Sequence, residues 1–166
     1  MKMRLVILLA ALSIGSPSWT AAQQGDRQQV LVEAIRHMRA ILGTEMVVDK
    51  NVEAIFAGVP DLSGRLPEIL TQAQVQMVDS RVNRRCTTIG NAYFTGPEKY
   101  LSFGPAHVVD GIATVRVAWS YSHKNGDHMR MSTWSSVLHF EKAEGRWTMT
   151  REGNRDYLHI ADHYCE

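Results

Sequence analysis

Residues 112–141 read IATVRVAWSYSHKNGDHMRMSTWSSVLHFE, and the reading of this stretch decides the fold. Strand-forming residues alternate on both sides of Asn125-Gly126, the dipeptide that most strongly marks a two-residue hairpin turn. A turn at that dipeptide sets Lys124 opposite Asp127, His123 opposite His128, Tyr121 opposite Arg130 and Val117 opposite Trp134. One face then carries Ala113, Val115, Val117, Trp119 and Tyr121 together with Arg130, Ser132, Trp134, Ser136 and Leu138. The other carries Ile112, Thr114, Arg116, Ala118 and Ser120 with Met131, Thr133, Ser135, Val137 and His139, a far more polar set. Only the first face suits a covering helix.

Outward from this hairpin, Asp110-Gly111 and Glu144-Gly145 mark two further turns. They divide the second half into a meander of four strands: 100–109, bent at Gly104-Pro105, then 112–123, 128–141 and 146–152. The first half is helical. Leu31, Ala34, Ile35, Met38, Ile41 and Leu42 form one stripe at i, i+3, i+4, i+7 spacing. Asp26 with Gln29 fits a capping box, Gly43 is a stop, and His37 falls on the face expected to meet solvent. An extended piece, 45–48, leads to Asp49, which can cap a brief helix holding Val52, Ile55 and Phe56 before Gly58 and Pro60. Pro67 suits the first turn of another helix with Leu66, Ile69, Leu70 and Ala73 on one side. Residues 75–78 read as a strand or a fraying helix end, and residues 79–97 have no clear period. Helices first and strands after predict an α+β domain with N-terminal helices on a curved antiparallel sheet.

The chain has 166 residues, 18 Lys and Arg against 17 Asp and Glu, and 45% hydrophobic residues. That balance fits one folded domain, and it points away from disorder and from nucleic acid as a partner. Residues 1–22 read as an export signal: Lys2 and Arg4 form a basic head, 5–14 an apolar stretch, and Thr20-Ala21-Ala22 a small-residue end. The apolar stretch is about half of what a membrane span requires, so no integral membrane segment is expected after cleavage. Cleavage there leaves a single domain over residues 23–166, 144 residues with a formal charge of −1, in the periplasm or outside the cell. In such a compartment Cys86 and Cys165 read as a disulfide in preference to two buried thiols. The bond closes a loop of 80 residues, worth about 4–5 kcal/mol on the chain-entropy argument.

Helices followed by a long curved sheet that finishes in Phe140-Glu141-Lys142-Ala143-Glu144-Gly145-Arg146-Trp147-Thr148-Met149 resemble the nuclear transport factor 2-like superfamily, the cystatin-like or ketosteroid-isomerase-like cones. The sequence is also similar to short exported bacterial proteins that carry no assigned activity. The resemblance implies a cone whose open end can host a pocket, used for catalysis by some members and for binding or assembly by others. The acidic base and the Tyr/Asp oxyanion pair of the isomerase members have no residue-by-residue match in this sequence.

A small-molecule site is expected on the concave face at Trp119, Tyr121, Arg130, Ser132, Trp134 and Ser136, where placed polar groups interrupt an aromatic surface. The competing reading of these serines and of Arg130 is a thin core with a surface cation–π pair over Tyr121. His159, Asp162 and His163 would form a metal set if the tail were helical, but they lack the Glu of an H-E-x-x-H motif, and no metal or other cofactor is expected. His123 and His128, as cross-strand neighbours, are a further metal candidate, and Arg81, Arg84, Arg85 and Lys99 a candidate anion patch. His107 and Asp110 read as turn residues. No G-x-S-x-G elbow, glycine-rich phosphate loop, paired-Cys zinc motif or glycosylation sequon is present. The sequence therefore predicts an exported, non-catalytic module that binds a small apolar or amphipathic molecule or another protein. Two alternatives accompany it: a small isomerase, lyase or hydratase, and a secreted inhibitor or envelope-assembly partner with an apolar patch at Met129 and Met131.

Overall fold

The structure, a computed structural model, describes residues 20–79, 85–86, 94–95, 99–125 and 128–163. In chain order the elements are α1 (Ala21–Leu42), β1 (Val47–Asp49), α2 (Asn51–Ala57), α3 (Pro60–Ser63), α4 (Leu66–Ala73) and β2 (Met77–Val78). There follow β3 (Arg85–Cys86), β4 (Phe94–Thr95), β5 (Lys99–Phe103), β6 (His107–Val109), β7 (Ile112–Asn125), β8 (His128–Ala143), β9 (Arg146–Glu152) and β10 (Asp156–His163). The helices pack on one eight-stranded open sheet, and β3 and β4 pair separately. The α+β class is as the sequence predicts. Among the described residues no helix is long and apolar enough to cross a membrane.

The cap of α1 lies six residues before the expected one, Asp26. Thr20 and Gln23 form the capping box, a Ser/Thr-x-x-Glu/Gln signature that satisfies two helix-end donors reciprocally. Asp26 is committed elsewhere: its Oδ1 accepts from Lys142 Nζ at 2.6 Å and from the Trp147 indole Nε1 at 3.2 Å, tying the helix to the β8–β9 hairpin. Residues 1–19, the greater part of the expected leader, lie outside the described residues. The predicted stripe is buried at Leu31, Ala34, Ile35, Met38 and Leu42, whereas Ile41 is exposed. Gly43 closes the helix at φ +99°, and Lys99 donates to the carbonyl of Leu42 there. Lys99 thereby holds a helix end, which removes it from the predicted anion patch. Arg81 and Arg84 of that patch lie outside the described residues.

α4 buries Leu66, Ile69, Leu70 and Ala73 as its sequence pattern predicts. In α2 the cap position is Lys50, which makes no side-chain cap bond, and the expected cap Asp49 lies one residue earlier, its Oδ1 accepting from the Asn51 N–H. β1 runs parallel to both β5 and β2, so the antiparallel meander is extended into a mixed sheet. Asp110-Gly111 and Glu144-Gly145 both adopt positive φ and form the two turns expected of them.

The central hairpin is set two residues away from its expected register. Asn125 pairs with His128, so residues 126 and 127 connect the strands, and Trp119 pairs with Trp134, Val117 with Ser136 and Tyr121 with Ser132. His123 pairs with Arg130 and not with His128, which removes the basis of the proposed His pair, and Tyr121 no longer faces Arg130. The observed register matches apolar residues better, since Val115 meets Leu138, Ala113 meets Phe140 and the two tryptophans meet each other. A slip of two preserves strand parity, so every residue stays on its predicted face.

Two shorter strands flank the hairpin on each side. β5 and β6 run along the free edge of β7, and β9 and β10 along that of β8. Both flanks break at one level, where three residues oppose two: 104–106 against 115–116, and 153–155 against 136–137; the β8 flank has two further register shifts, opposite His139/Phe140 on β9 and between Tyr157 and His159 on β10. Gly104 N–H bonds to Arg116 O at 2.9 Å and Gly153 N–H to Val137 O at 2.8 Å, and Arg116 and Val137 are themselves partners across the hairpin. The two breaks thus lie on one line across the sheet. An extra residue on each flank, opposite the same pair of the hairpin, is the ordinary device by which strands bend and a sheet curves.

Candidate functional site

The crease divides the concave face into two ends. Below it, Val115, Leu138 and Phe140 are fully buried, Ala113 almost so, and α1 covers them together with Trp147. This end of the predicted concavity is filled core. Above it lie the aromatic residues. Trp119, Trp134 and Tyr157 are consecutive partners across β7, β8 and β10, so their side chains form a row on one face. Trp134 and Tyr157 meet edge-to-face with centroids 4.8 Å apart. The row passes from Trp119, 5% exposed, through half-buried Trp134 to Tyr157 at 45%.

The break at residues 153–155 supplies the polar side of the site. Gly153 approaches β8 so closely that a Cβ on it would stand 3.1 Å from the Val137 carbonyl oxygen, and Ser136 donates its hydroxyl to the Gly153 carbonyl at 3.1 Å. Ser136, predicted to contact ligand, is engaged in holding this bend. The bend carries Arg155 across the concave face, where its guanidinium carbon lies 5.6 Å from the Trp119 ring centre. Glu152 fixes it there, accepting from Arg155 Nε at 2.7 Å and Nη2 at 3.2 Å. From α1, His37 Nε2 lies 3.9 Å from Glu152 Oε2. His37 is half-buried against β9, not on a solvated face as its helical position suggests, because α1 turns that side toward Glu152.

Hydrogen bonding from Arg155 holds the Glu152 carboxyl below its ordinary range, against the opposing effect of desolvation, and the charges of Arg155 and His37 add to the lowering. The same hydrogen bonds and the carboxylate charge raise the Arg155 guanidinium. The site therefore contains an ionised Glu–Arg pair lying on an aromatic floor.

Of the predicted site residues, the structure brings Trp119, Trp134, Tyr121 and Ser132 to this end of the sheet. Arg130 pairs through its backbone with His123 and Asp162, and its side chain lies outside what is described. Glu152, Arg155, Tyr157 and His37 were not singled out from the sequence as a group. The tail metal set loses its premise, since residues 156–163 are strand and not helix. Four residues of strand separate the Cα atoms of His159 and His163 by about 13 Å, too far for one ion. Among the described residues no group of three metal-ligating side chains converges. Cys86 lies on β3 and Cys165 outside the described residues, so the expected disulfide stays an expectation.

Two other depressions carry charges of both signs. One, of about 510 Å³, runs between α1 and the β8–β9 turn past Glu33, Glu144, Arg146 and Trp147. The other, of about 240 Å³, lies at the sheet break and is lined by Arg116, Ser135, Asn154 and Asp156 among others. Neither has an aromatic floor comparable to the Trp119 row. In comparison with known proteins, no family model, curated protein or solved structure matches this chain.

Proposed function

We propose that this protein is an exported, non-catalytic module that binds a small amphipathic molecule at the aromatic end of its sheet. The observation that carries this reading is the row Trp119–Trp134–Tyr157, which rises from buried to exposed beside the Glu152–Arg155 pair. An apolar surface with a few fixed polar groups gives a ligand both burial and orientation. Export rests on the basic and apolar pattern of residues 1–22. The test is intrinsic tryptophan fluorescence during a screen of small amphipathic compounds. Saturable binding to the native protein, lost or weakened at least tenfold in a folded Trp134→Ala variant, is the expected result; full retention of binding in that variant excludes the row as the site.

The approach of His37 to Glu152 favours a second reading, a proton-transfer enzyme of the isomerase or lyase kind. Its signature would be exchange of a carbon-bound proton of a bound ketone into deuterated water, abolished by His37→Gln. Binding without such exchange leaves the non-catalytic reading in place.

A further inference from the structure

Arg155 occupies the site in the manner of a ligand. Its charged end is placed over the face of a nearly buried indole, 5.6 Å from the ring centre, and chelated by a carboxylate. A ring face and a carboxylate converging on one point are the ordinary components of a receptor for an organic cation. The two partners differ in how firmly they are held. The Arg155 side chain is 50% exposed and stands on the irregular stretch between β9 and β10, whereas Glu152 is 19% exposed, paired with Leu138 in the sheet and approached by His37. The cation can swing into solvent while the carboxylate and the indole stay. An incoming anion faces the opposite situation, because two Arg155 donors are already taken by a neighbour three residues away.

We infer that Arg155 is a built-in competitor for an organic-cation site, and that the ligand is a small quaternary ammonium or methylated amine that takes the place of the guanidinium between Trp119 and Glu152. Trp134 and Tyr157 extend the aromatic wall on the open side, where the substituents of such a cation would rest. This inference rests on the small-molecule reading above and narrows it to one charge class.

The experiment titrates the full folded domain with tetramethylammonium, benzoate and benzyl alcohol at matched ionic strength, following tryptophan fluorescence, in the native protein and in Arg155→Met. A bound-state population limited by an internal competitor weakens apparent affinity by the fraction of competent molecules. With a cation–π contact and an ion pair to displace, Arg155→Met should bind tetramethylammonium about fivefold more tightly, and Glu152→Gln should bind it more weakly than the native protein. In the native protein the Arg155 Nε–H resonance should move toward its solvent-exposed position on adding tetramethylammonium and stay unmoved with benzoate, a readout that needs no variant. Equal or weaker tetramethylammonium binding in Arg155→Met overturns the inference. So does an unmoved Arg155 resonance at saturation. If benzoate or benzyl alcohol binds while tetramethylammonium does not, the cation inference fails and the binding module stands; if none of the three binds, both fall.

Discussion

The two ends of the concave sheet face are built from the same strands and the same alternation, yet one is wholly core and the other grades from buried Trp119 to exposed Tyr157. Below the crease the inward residues of β7 and β8 are Ala, Val, Leu and Phe, and α1 lies on them; above it Val117 and, on β5, Leu101 and Phe103 are still core, whereas toward β10 the inward residues are Trp, Tyr and Ser and an arginine side chain lies over Trp119. The comparison shows that face and function are separate questions. Strand parity fixes which residues point inward, whereas the reach of one helix fixes which of those remain accessible.

The largest effect is expected at the covered end. Phe140→Ala removes a fully buried ring between α1 and the hairpin and should cost about 3–5 kcal/mol of stability, measured by chemical denaturation. A cost below about 1 kcal/mol would mean that the covered end is not the core. Next comes the anchor of the cover. Asp26→Ala leaves Lys142 and the buried Trp147 indole N–H without their acceptor and should cost about 1–2 kcal/mol, lowering the melting midpoint while leaving ligand binding above the crease intact.

The smallest effect belongs to the open end. The Glu152 pKa is lowered on folding, so the unfolded chain binds that proton more readily. The pair therefore contributes stability above the ordinary glutamate range and loses it as the pH falls through the lowered value. Because Arg155 is half exposed, the contribution is screened and amounts to about 0.2–1 kcal/mol. Glu152→Gln should reduce stability slightly at pH 7 and flatten the acid limb of the stability profile, with native and variant converging once the pH falls below the lowered Glu152 value. An unchanged acid limb would show that the pair forms no firmer in the folded protein than in solution.

Much of the covered end was legible in the sequence because periodicity reports burial directly. The α1 stripe, the helix-start proline of α4 and the two Asx/Glu-Gly turns each follow from residue chemistry that acts locally. Hairpin register was less so. Asn125-Gly126 is a strong turn signal, but the pairing of Trp119 with Trp134 and Val115 with Leu138 outweighs it, and a turn dipeptide cannot report interactions formed ten residues away. The tail gives no strand signal in the sequence, where the His159–His163 spacing would matter only in a helix, yet 156–163 forms the strand that brings Tyr157 to Trp134. Glu152 and Arg155 escaped notice for a geometric reason. They are three residues apart in a segment that looks like an ordinary strand exit, and only the extra residue inserted opposite 136–137 turns them toward each other and toward Trp119.

The crease has a thermal consequence. Register on both flanks shifts at one level, at Gly104 on one side and Gly153 on the other, so only β7 and β8 run through it with continuous pairing. On the β10 flank, where the residues grow exposed, the strand above that level can open at a free energy below that of global unfolding, whereas on the β5 flank Leu101 and Phe103 are core against α2. Heat or dilute denaturant would then part Tyr157 from Trp134 first, while the helices remained docked on β5, β7 and β8.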